Sequence, residues 1–156
     1  MLLRSYSEKD LKEILALFYD AVHLVAAKDY SPAQLDAWAP RLPDEERWRN
    51  SLSAHYALVA EEGGKIVGFG DIDGTGYLDR LYAAADFQRR GVGGALADAL
   101  EKYAFERGAE KISTYASLTA KPFFEERGYV AEARRSVERR GERLTNFSMT
   151  KYFEFL

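Results

Sequence analysis

Residues 88–96 read QRRGVGGAL and are the most informative stretch of this chain. Two arginines precede a glycine-rich loop, and the loop opens into a helix-forming segment. Such a loop presents main-chain N–H groups at the positive end of a helix, where a phosphate group can bind. Glycine at positions 91 and 93 allows a tight turn and the close approach of a ligand. The stretch therefore predicts a site for a phosphate-bearing ligand.

The spacing of the glycines excludes two common nucleotide-binding motifs. The chain has no Gly-x-x-x-x-Gly-Lys-Ser/Thr run, which a P-loop requires. A dinucleotide fingerprint needs glycine or alanine three residues after Gly93, but Leu96 stands there. The phosphate ligand is therefore of another kind, or the stretch is an ordinary turn before a helix. The surrounding sequence decides between these alternatives.

Composition restricts the class of protein. The chain has 156 residues, 47% of them apolar, and a net charge of −3, which predicts one globular domain over residues 1–156. No apolar run approaches the roughly 20 residues of a membrane span, and the N-terminus is charged too early for a signal peptide. We expect a cytoplasmic protein without a membrane partner. Its mild acidity also argues against a nucleic-acid partner.

The rare residue types limit the available chemistry. The absence of cysteine excludes disulfides, thiolate metal sites and a cysteine nucleophile. His23 and His55 are the two histidines, which argues against a multi-histidine metal site. We expect no bound metal and a structural role for both histidines.

The periodicity of apolar residues predicts the order of elements. Helical spacing marks residues 8–25, 31–39, 43–53, 93–107 and 119–127, and alternation marks strands at 2–6, 55–62, 65–73, 77–84, 111–116, 129–137 and 143–153. The strand, helix and strand from 77 to 116 predict a right-handed parallel crossover. The fold class is therefore α+β, with a mixed α/β sheet of six to seven strands and four to five helices.

Two motifs in this order resemble the GNAT superfamily of acetyl-CoA-dependent N-acetyltransferases, and the resemblance covers nearly the whole chain. Residues 88–93, QRRGVG, are similar to the family's Gln/Arg-x-x-Gly-x-Gly/Ala. Residues 120–129, AKPFFEERGY, resemble its Ala-x-x-Phe-Tyr-Glu-x-x-Gly-Phe/Tyr segment. The helix with Tyr30, Gln34 and Trp38 looks like a subgroup of small bacterial members whose substrates are mostly unassigned. The implied fold is the acyl-CoA N-acyltransferase fold.

The resemblance implies that acetyl-CoA is the co-substrate. In the family, the pyrophosphate of coenzyme A binds on the glycine loop, and the pantetheine arm runs along the fourth strand. Carried over to this chain, the cofactor-binding residues are Leu81, Tyr82, Ala83, Gln88, Arg89, Arg90, Gly91, Val92, Gly93, Gly94, Ser117 and Phe124.

Asp79 and Tyr82 are the predicted catalytic residues. Asp79 stands inside a strand, where a carboxylate is disfavoured, and can act as general base or form an ion pair with an arginine. Strand alternation predicts Tyr77, Asp79 and Leu81 on one face of the sheet. A main-chain N–H near Tyr82 can stabilise the oxyanion.

The source of the leaving-group proton stays open at this point. Phe124 occupies the place where the family usually has a tyrosine acid, and phenylalanine donates no proton. The thiolate can leave unassisted, or Tyr82, Tyr115 or Tyr129 can act instead. A third alternative is a non-catalytic acyl-CoA-binding module.

The acceptor pocket is the least defined part of the sequence. The resemblance places Tyr30 and Trp38 at its wall, although ordinary packing explains both residues equally well. The arginine-rich residues 134–143 read RRSVERRGER and favour a solvated hairpin, with a phosphate contact as the weaker alternative. We expect transfer of acetyl to the primary amine of a small molecule or peptide. The sequence leaves a homodimer open.

Overall fold

The computed structural model describes residues 1–153 and contains a seven-stranded sheet in the order β1-β2-β3-β4-β5-β7-β6. The strands are β1 (Leu2–Ser5), β2 (Tyr56–Glu62), β3 (Lys65–Ile72), β4 (Tyr77–Ala83), β5 (Lys111–Ser117), β6 (Val130–Arg139) and β7 (Glu142–Tyr152). Only the β4–β5 pair is parallel, as the crossover between them predicted. The mixed sheet with seven strands confirms the predicted fold class.

Five α-helices complete the fold: α1 (Leu11–Asp20), α2 (Pro32–Trp38), α3 (Glu45–Ala54), α4 (Val92–Glu106) and α5 (Lys121–Glu126). The prediction of one regular helix over residues 8–25 is wrong in detail. A 3-10 turn (Glu8–Asp10) precedes α1, and a π-helical turn (Ala21–Val25) follows it. Such a π turn re-aims the chain, and His23 within it places Nε2 2.8 Å from the Ala39 carbonyl oxygen.

Each face of the sheet carries its own core. Helices α1 to α3 cover one face, where Val59 and Phe69 are buried. Helices α4 and α5 cover the other, where Leu96 and Leu100 are buried. Gly68 lets α4 approach β3 closely, because a Cβ atom there would lie 2.5 Å from a methyl carbon of Val92. This contact positions the first turn of α4 beside the end of β4.

The sheet opens between β4 and β5. These strands pair only at Tyr77–Ser113 and Leu78–Thr114, whereas β5 continues to pair with β7 as far as Ser117. Beyond Leu78, the β5-facing edge of β4 has no neighbouring strand. Ala84 N–H donates to the Val67 carbonyl oxygen on the other side, and strand alternation then directs the main-chain groups of Leu81 and Ala83 to the open edge.

A β-bulge at Asp79 changes the faces of β4. Asp71 pairs with Arg80 while Ile72 pairs with Leu78, which leaves Asp79 as the extra residue. The predicted strict alternation across this strand is therefore wrong. Leu78 and Leu81 share the α4 face, whereas Tyr82 packs on the α1 face.

Candidate active site

A cavity of about 530 Å³ lies where β4 and β5 separate. Its wall includes Tyr77, Asp79, Arg80, Leu81 and Tyr82 from β4, Tyr115 and Ser117 from β5, Phe124 from α5, Tyr30 and Trp38 near α2, and Arg135, Arg139 and Arg140 from the β6–β7 hairpin. Eight of these thirteen residues come from outside β4. The cavity therefore joins the open strand edge to side chains from distant parts of the sequence.

The glycine loop leaves main-chain donors free at the start of α4. Gly91 caps the helix with φ 81° and makes no side-chain cap hydrogen bond. The first helical bond runs from Ala95 N–H to the Gly91 carbonyl oxygen, so the preceding N–H groups have no partner within the helix. These donors and the positive end of the helix dipole form a site suited to a phosphate.

Gln88 serves the loop rather than pointing into it. Its side-chain amide donates to the carbonyl oxygens of Ala83, at 2.9 Å, and Ala84, at 3.2 Å. These bonds tie the loop to the end of β4. Arg89 has a positive φ of 61°, and the Arg90 guanidinium lies 4.9 Å from the centre of the Phe87 ring. The predicted cofactor residues 88–94 thus connect the end of β4 to the start of α4.

Ser117 and Phe124 line the same cavity, and of the two only Ser117 carries a polar group. The Ser117 hydroxyl accepts a hydrogen bond from Ala120 N–H at 3.0 Å. Phe124 is 5% exposed and packs edge-on against Phe123 and Tyr129. Both side chains shape the wall between β5 and α5.

A buried ion-pair network lies behind Asp79. Asp71 is fully buried, and its Oδ2 lies 2.7 Å from His55 Nδ1 and 2.8 Å from an Arg80 guanidinium nitrogen. Asp79 Oδ2 lies 3.5 Å from the same nitrogen and 4.0 Å from His55 Nδ1. Burial raises the pKa of Asp71, and the charge of Arg80 opposes that effect. The predicted arginine partner of Asp79 is therefore Arg80, which Asp71 shares.

Sequence reasoning gave His55 a structural role and chose Asp79 as the candidate base. The overlooked signal was a carboxylate in β3, flanked by glycine and isoleucine, where a buried charge requires a partner. His55, Asp71 and Asp79 also lie close enough together to hold a metal ion. The Arg80 guanidinium lies beside Oδ2 of both carboxylates, whereas Asp71 Oδ1 is buried without a hydrogen-bond partner.

The candidate tyrosine acids differ in position. Tyr129 lies outside the cavity and donates to Glu101 at 2.8 Å. Tyr115 lines the cavity, but its ring lies 3.9 Å below the Arg135 guanidinium. Burial raises the pKa of Tyr82 far above its usual value, and a hydrogen bond from Trp38 only partly opposes this effect. Tyr82 therefore keeps its proton at neutral pH.

Tyr30 and Trp38 both lie at the cavity wall. The Tyr30 hydroxyl donates to the Thr145 carbonyl oxygen at 2.6 Å and accepts from Leu118 N–H at 2.9 Å. It thus braces β7 against the segment after β5. The Trp38 ring packs edge-on against Tyr30, with centroids 5.4 Å apart. Only aromatic surface from Tyr30 remains for a ligand.

The sequence model of the acetyltransferase (GNAT) domain matches residues 26–151. The N-acetyltransferase YafP of Escherichia coli K12, described as uncharacterized, is 38% identical over 148 residues, covering 94% of this chain and 93% of that protein. No helix in residues 1–153 has the length and apolar character of a membrane span.

Solved structures give the same result. A GCN5-related N-acetyltransferase from Rhodopseudomonas palustris superposes with a TM-score of 0.94 at 40% identity, covering 97% of this chain and 95% of that one. The PaiA N-acetyltransferase of Thermoplasma acidophilum, solved with coenzyme A, shares the fold with a TM-score of 0.80 at 19% identity, covering 97% and 98% of the two chains. With the glycine loop, the open edge of β4 and the family match over most of its length, this chain belongs to the GNAT family of acetyltransferases.

Proposed function

We propose that this protein transfers the acetyl group of acetyl-CoA to the primary amine of a small molecule or peptide. The observation that carries the proposal is the continuity of three features: free N–H groups at the start of α4, the unpaired edge of β4, and a cavity with Asp79 in its wall. We call the open edge of β4 with residues 88–94 the cofactor side. We call Asp79 and the cavity wall from α2, α3 and the β6–β7 hairpin the acceptor side.

The cofactor side fits a phosphate followed by an extended arm. The unpartnered N–H groups at the start of α4 match a pyrophosphate, and the open edge of β4 offers main-chain partners to a strand-like chain. Both features support acetyl-CoA as the co-substrate. The fold neighbour YncA of Salmonella typhimurium, solved with acetyl-CoA, adds support at the level of the fold (TM-score 0.75).

Acetyl-CoA supplies the acetyl group as a thioester. During the reaction the amine nitrogen bonds to the carbonyl carbon and the carbon–sulfur bond breaks, which releases the thiolate of coenzyme A. The main-chain N–H groups of Leu81 and Ala83 face the open edge and are positioned to donate to the carbonyl oxygen as it gains negative charge. A donor held by a strand needs no reorganisation during the reaction.

Asp79 is the proposed base. It is 28% exposed at the cavity, so the incoming amine can reach it directly or through one water. Of the two aspartates in the cavity wall, Asp44 accepts a hydrogen bond from Arg47 N–H at the start of α3. Asp79 has no such main-chain task, and its Oδ2 lies 3.5 Å from an Arg80 guanidinium nitrogen.

The proposal includes two ways in which the sulfur can leave: as a thiolate without an acid, or with a proton from Tyr82. A thiol has a pKa of about 8.5, so the thiolate leaves without an acid at moderate cost. The Tyr82 hydroxyl stays protonated and lies in the cavity wall. Phe124 takes no part in proton transfer, because its ring carries no donor.

The second candidate is a non-catalytic acyl-CoA-binding module. Phe124, which carries no proton donor, stands in the place of the usual tyrosine and favours it. Acetyl-CoA should be incubated with a panel of amines while free thiol is measured, and coenzyme A affinity should be measured calorimetrically. We expect amine-dependent thiol release. Tight coenzyme A binding without release on any amine would instead support the binding module.

A further inference from the structure

The cavity concentrates positive charge in an acidic protein. The chain carries a net charge of −3, yet the cavity between β4 and β5 has five arginines and two aspartates in its wall. The arginines are Arg47, Arg80, Arg135, Arg139 and Arg140. A local excess of one sign, opposite to that of the whole chain, calls for a ligand of complementary charge.

Four of these arginines lack a carboxylate partner. Arg80 is paired with Asp71 and Asp79. No acidic side chain in residues 1–153 lies within 4.0 Å of the charged nitrogens of the other four. For two of the four, neutral neighbours position the guanidinium group. Arg135 lies over the Tyr115 ring at 3.9 Å, and Arg140 donates to the Ala37 carbonyl oxygen at 2.6 Å.

These arginines belong to the acceptor side. Val137 and Leu144 stand among them on the hairpin and pack into the core under α1 to α3. The glycine loop starts α4, which covers the opposite face of the sheet. The pyrophosphate site and the hairpin arginines therefore serve different ends of the cavity.

We infer that the amine acceptor also carries an anionic group, a carboxylate or a phosphate, and that Arg135 and Arg139 bind it. This inference rests on the proposed acetyl transfer. Guanidinium groups match the geometry of both anions through paired N–H donors. Asp79 repels an anion and attracts an ammonium group, whereas the hairpin does the reverse. The two charges of such an acceptor thus orient its amine toward Asp79.

The substrate test compares acceptors that differ only in the anion. Amino acids are offered beside their methyl esters and their aminophosphonate counterparts, and kcat/KM is measured from thiol release. We expect the anionic members to exceed the esters by about 10-fold or more, the range of a charge-assisted hydrogen bond. The better of carboxylate and phosphonate identifies the natural anion. Equal rates for acids and esters would overturn the inference while leaving acetyl transfer intact.

The protein test uses a matched pair of variants. Arg135→Gln/Arg139→Gln removes two charges from the cavity wall, and Arg134→Gln/Arg143→Gln removes two charges from the same hairpin outside it. We expect the first pair to raise the KM for anionic acceptors about 10-fold with little change for esters, and the second pair to change neither. Equal effects of the two pairs would show general attraction rather than a binding site, and would contradict the assignment.

Binding without turnover provides the second measurement. Calorimetry of an amino acid and its ester, both with coenzyme A present, reports the anion preference even if no acceptor is acetylated. Tighter binding of the acid, lost in Arg135→Gln/Arg139→Gln, supports the inference for an inactive binding protein. The same affinity for acid and ester refutes it independently of the reaction.

Discussion

The cofactor side and the acceptor side share one cavity but are built from different materials. The cofactor side consists of main-chain groups: the unbonded N–H groups at the start of α4 and the free edge of β4. The acceptor side consists of charged and aromatic side chains from four separate segments. Main-chain recognition depends on a local conformation, whereas side-chain recognition depends on how distant segments meet. Substitutions on the cofactor side should therefore mainly change coenzyme A affinity, whereas substitutions on the acceptor side should mainly change turnover.

The largest expected effect is on the acceptor side. Asp79→Asn removes the proposed base while Arg80 keeps its partner Asp71. We expect kcat to fall by about 10²-fold, the lower range for general base catalysis, with an unchanged KM for acetyl-CoA. Steady-state kinetics with both substrates varied will measure the two effects separately.

Asp44→Ser is the matched control for Asp79→Asn. It removes the other carboxylate of the cavity wall while keeping a residue suited to cap α3. We expect kcat within about 3-fold of the unsubstituted chain, because Asp44 caps the start of α3 and takes no part in proton transfer. Comparable losses in both variants would remove the distinction between Asp79 and the remaining cavity charge.

The next effect concerns the cofactor side. Gly91→Val places a branched side chain at φ 81°, which costs roughly 1–2 kcal/mol or more in local conformation. A Cβ atom there would meet nothing within 4 Å, so the cost falls on the loop itself. We expect coenzyme A to bind about 10-fold more weakly or worse by calorimetry. The kcat at saturating acetyl-CoA should change little.

Gly108→Val separates loop conformation from general destabilisation. Gly108 follows the other end of α4, has φ 87° and also has open space around its Cβ position. Urea unfolding should show a similar loss of stability in both variants, whereas only Gly91→Val should weaken coenzyme A binding. A weakened affinity in Gly108→Val would attribute the effect to the helix as a whole.

A smaller effect is expected where the two sides meet. Tyr82→Phe removes the hydroxyl that Trp38 hydrogen-bonds, and we expect kcat to fall less than about 10-fold because a thiolate with a pKa near 8.5 is a fair leaving group. Tyr82→Phe/Phe124→Tyr restores a phenol at the family's usual position and should recover part of the loss. A decrease above about 100-fold would make Tyr82 the obligatory acid.

The smallest expected effect is on the free energy of unfolding at alkaline pH. Burial, with the charge of Asp79, raises the pKa of Tyr77 to about 12, against about 10 in an unfolded chain. Because the folded pKa is the higher one, this stabilisation is complete below about pH 10 and is lost as the pH rises toward 12. Tyr77→Phe should flatten the decline of unfolding free energy over that window. Parallel declines in urea titrations of both proteins would contradict the assignment.

The elements that form the cofactor side were easier to predict from the sequence than the side-chain cluster of the acceptor side, for physical reasons. Residues 88–93 and 120–129 are continuous motifs, and the crossover from β4 through α4 to β5 follows from element order. The bulge at Asp79 adds one residue to a pattern that remains compatible with simple alternation. It places Leu78 on the same face as Leu81, where alternation predicted opposite faces, and no residue pattern in the sequence indicates it.

Side-chain clusters were harder to predict. His55, Asp71 and Arg80 are separated by 16 and 9 residues. His55 meets Asp71 because β2 pairs with β3, and Asp71 meets Arg80 because β3 pairs with β4 beside that bulge. The arginines of residues 134–143 alternate with glutamates, as exposed hairpins commonly do. Arg135 and Arg139 reach the cavity wall because β7 pairs with β5 and β6 pairs with β7. Register and placement are long-range properties that periodicity does not encode.

The short β4–β5 pairing also has a mechanical consequence. Two residue pairs, with the Thr114 hydroxyl bonded to the Leu78 carbonyl oxygen, connect a four-stranded leaf to a three-stranded leaf. The weakest line of main-chain bonding in the sheet therefore runs through the cavity. Opening motions of the two leaves should concentrate there, and the amide protons nearest the cavity should exchange earlier than those of β2 and β3. A ligand arm lying along β4 would connect the two parts of the sheet, so cofactor occupancy would be coupled to the rigidity of the whole sheet.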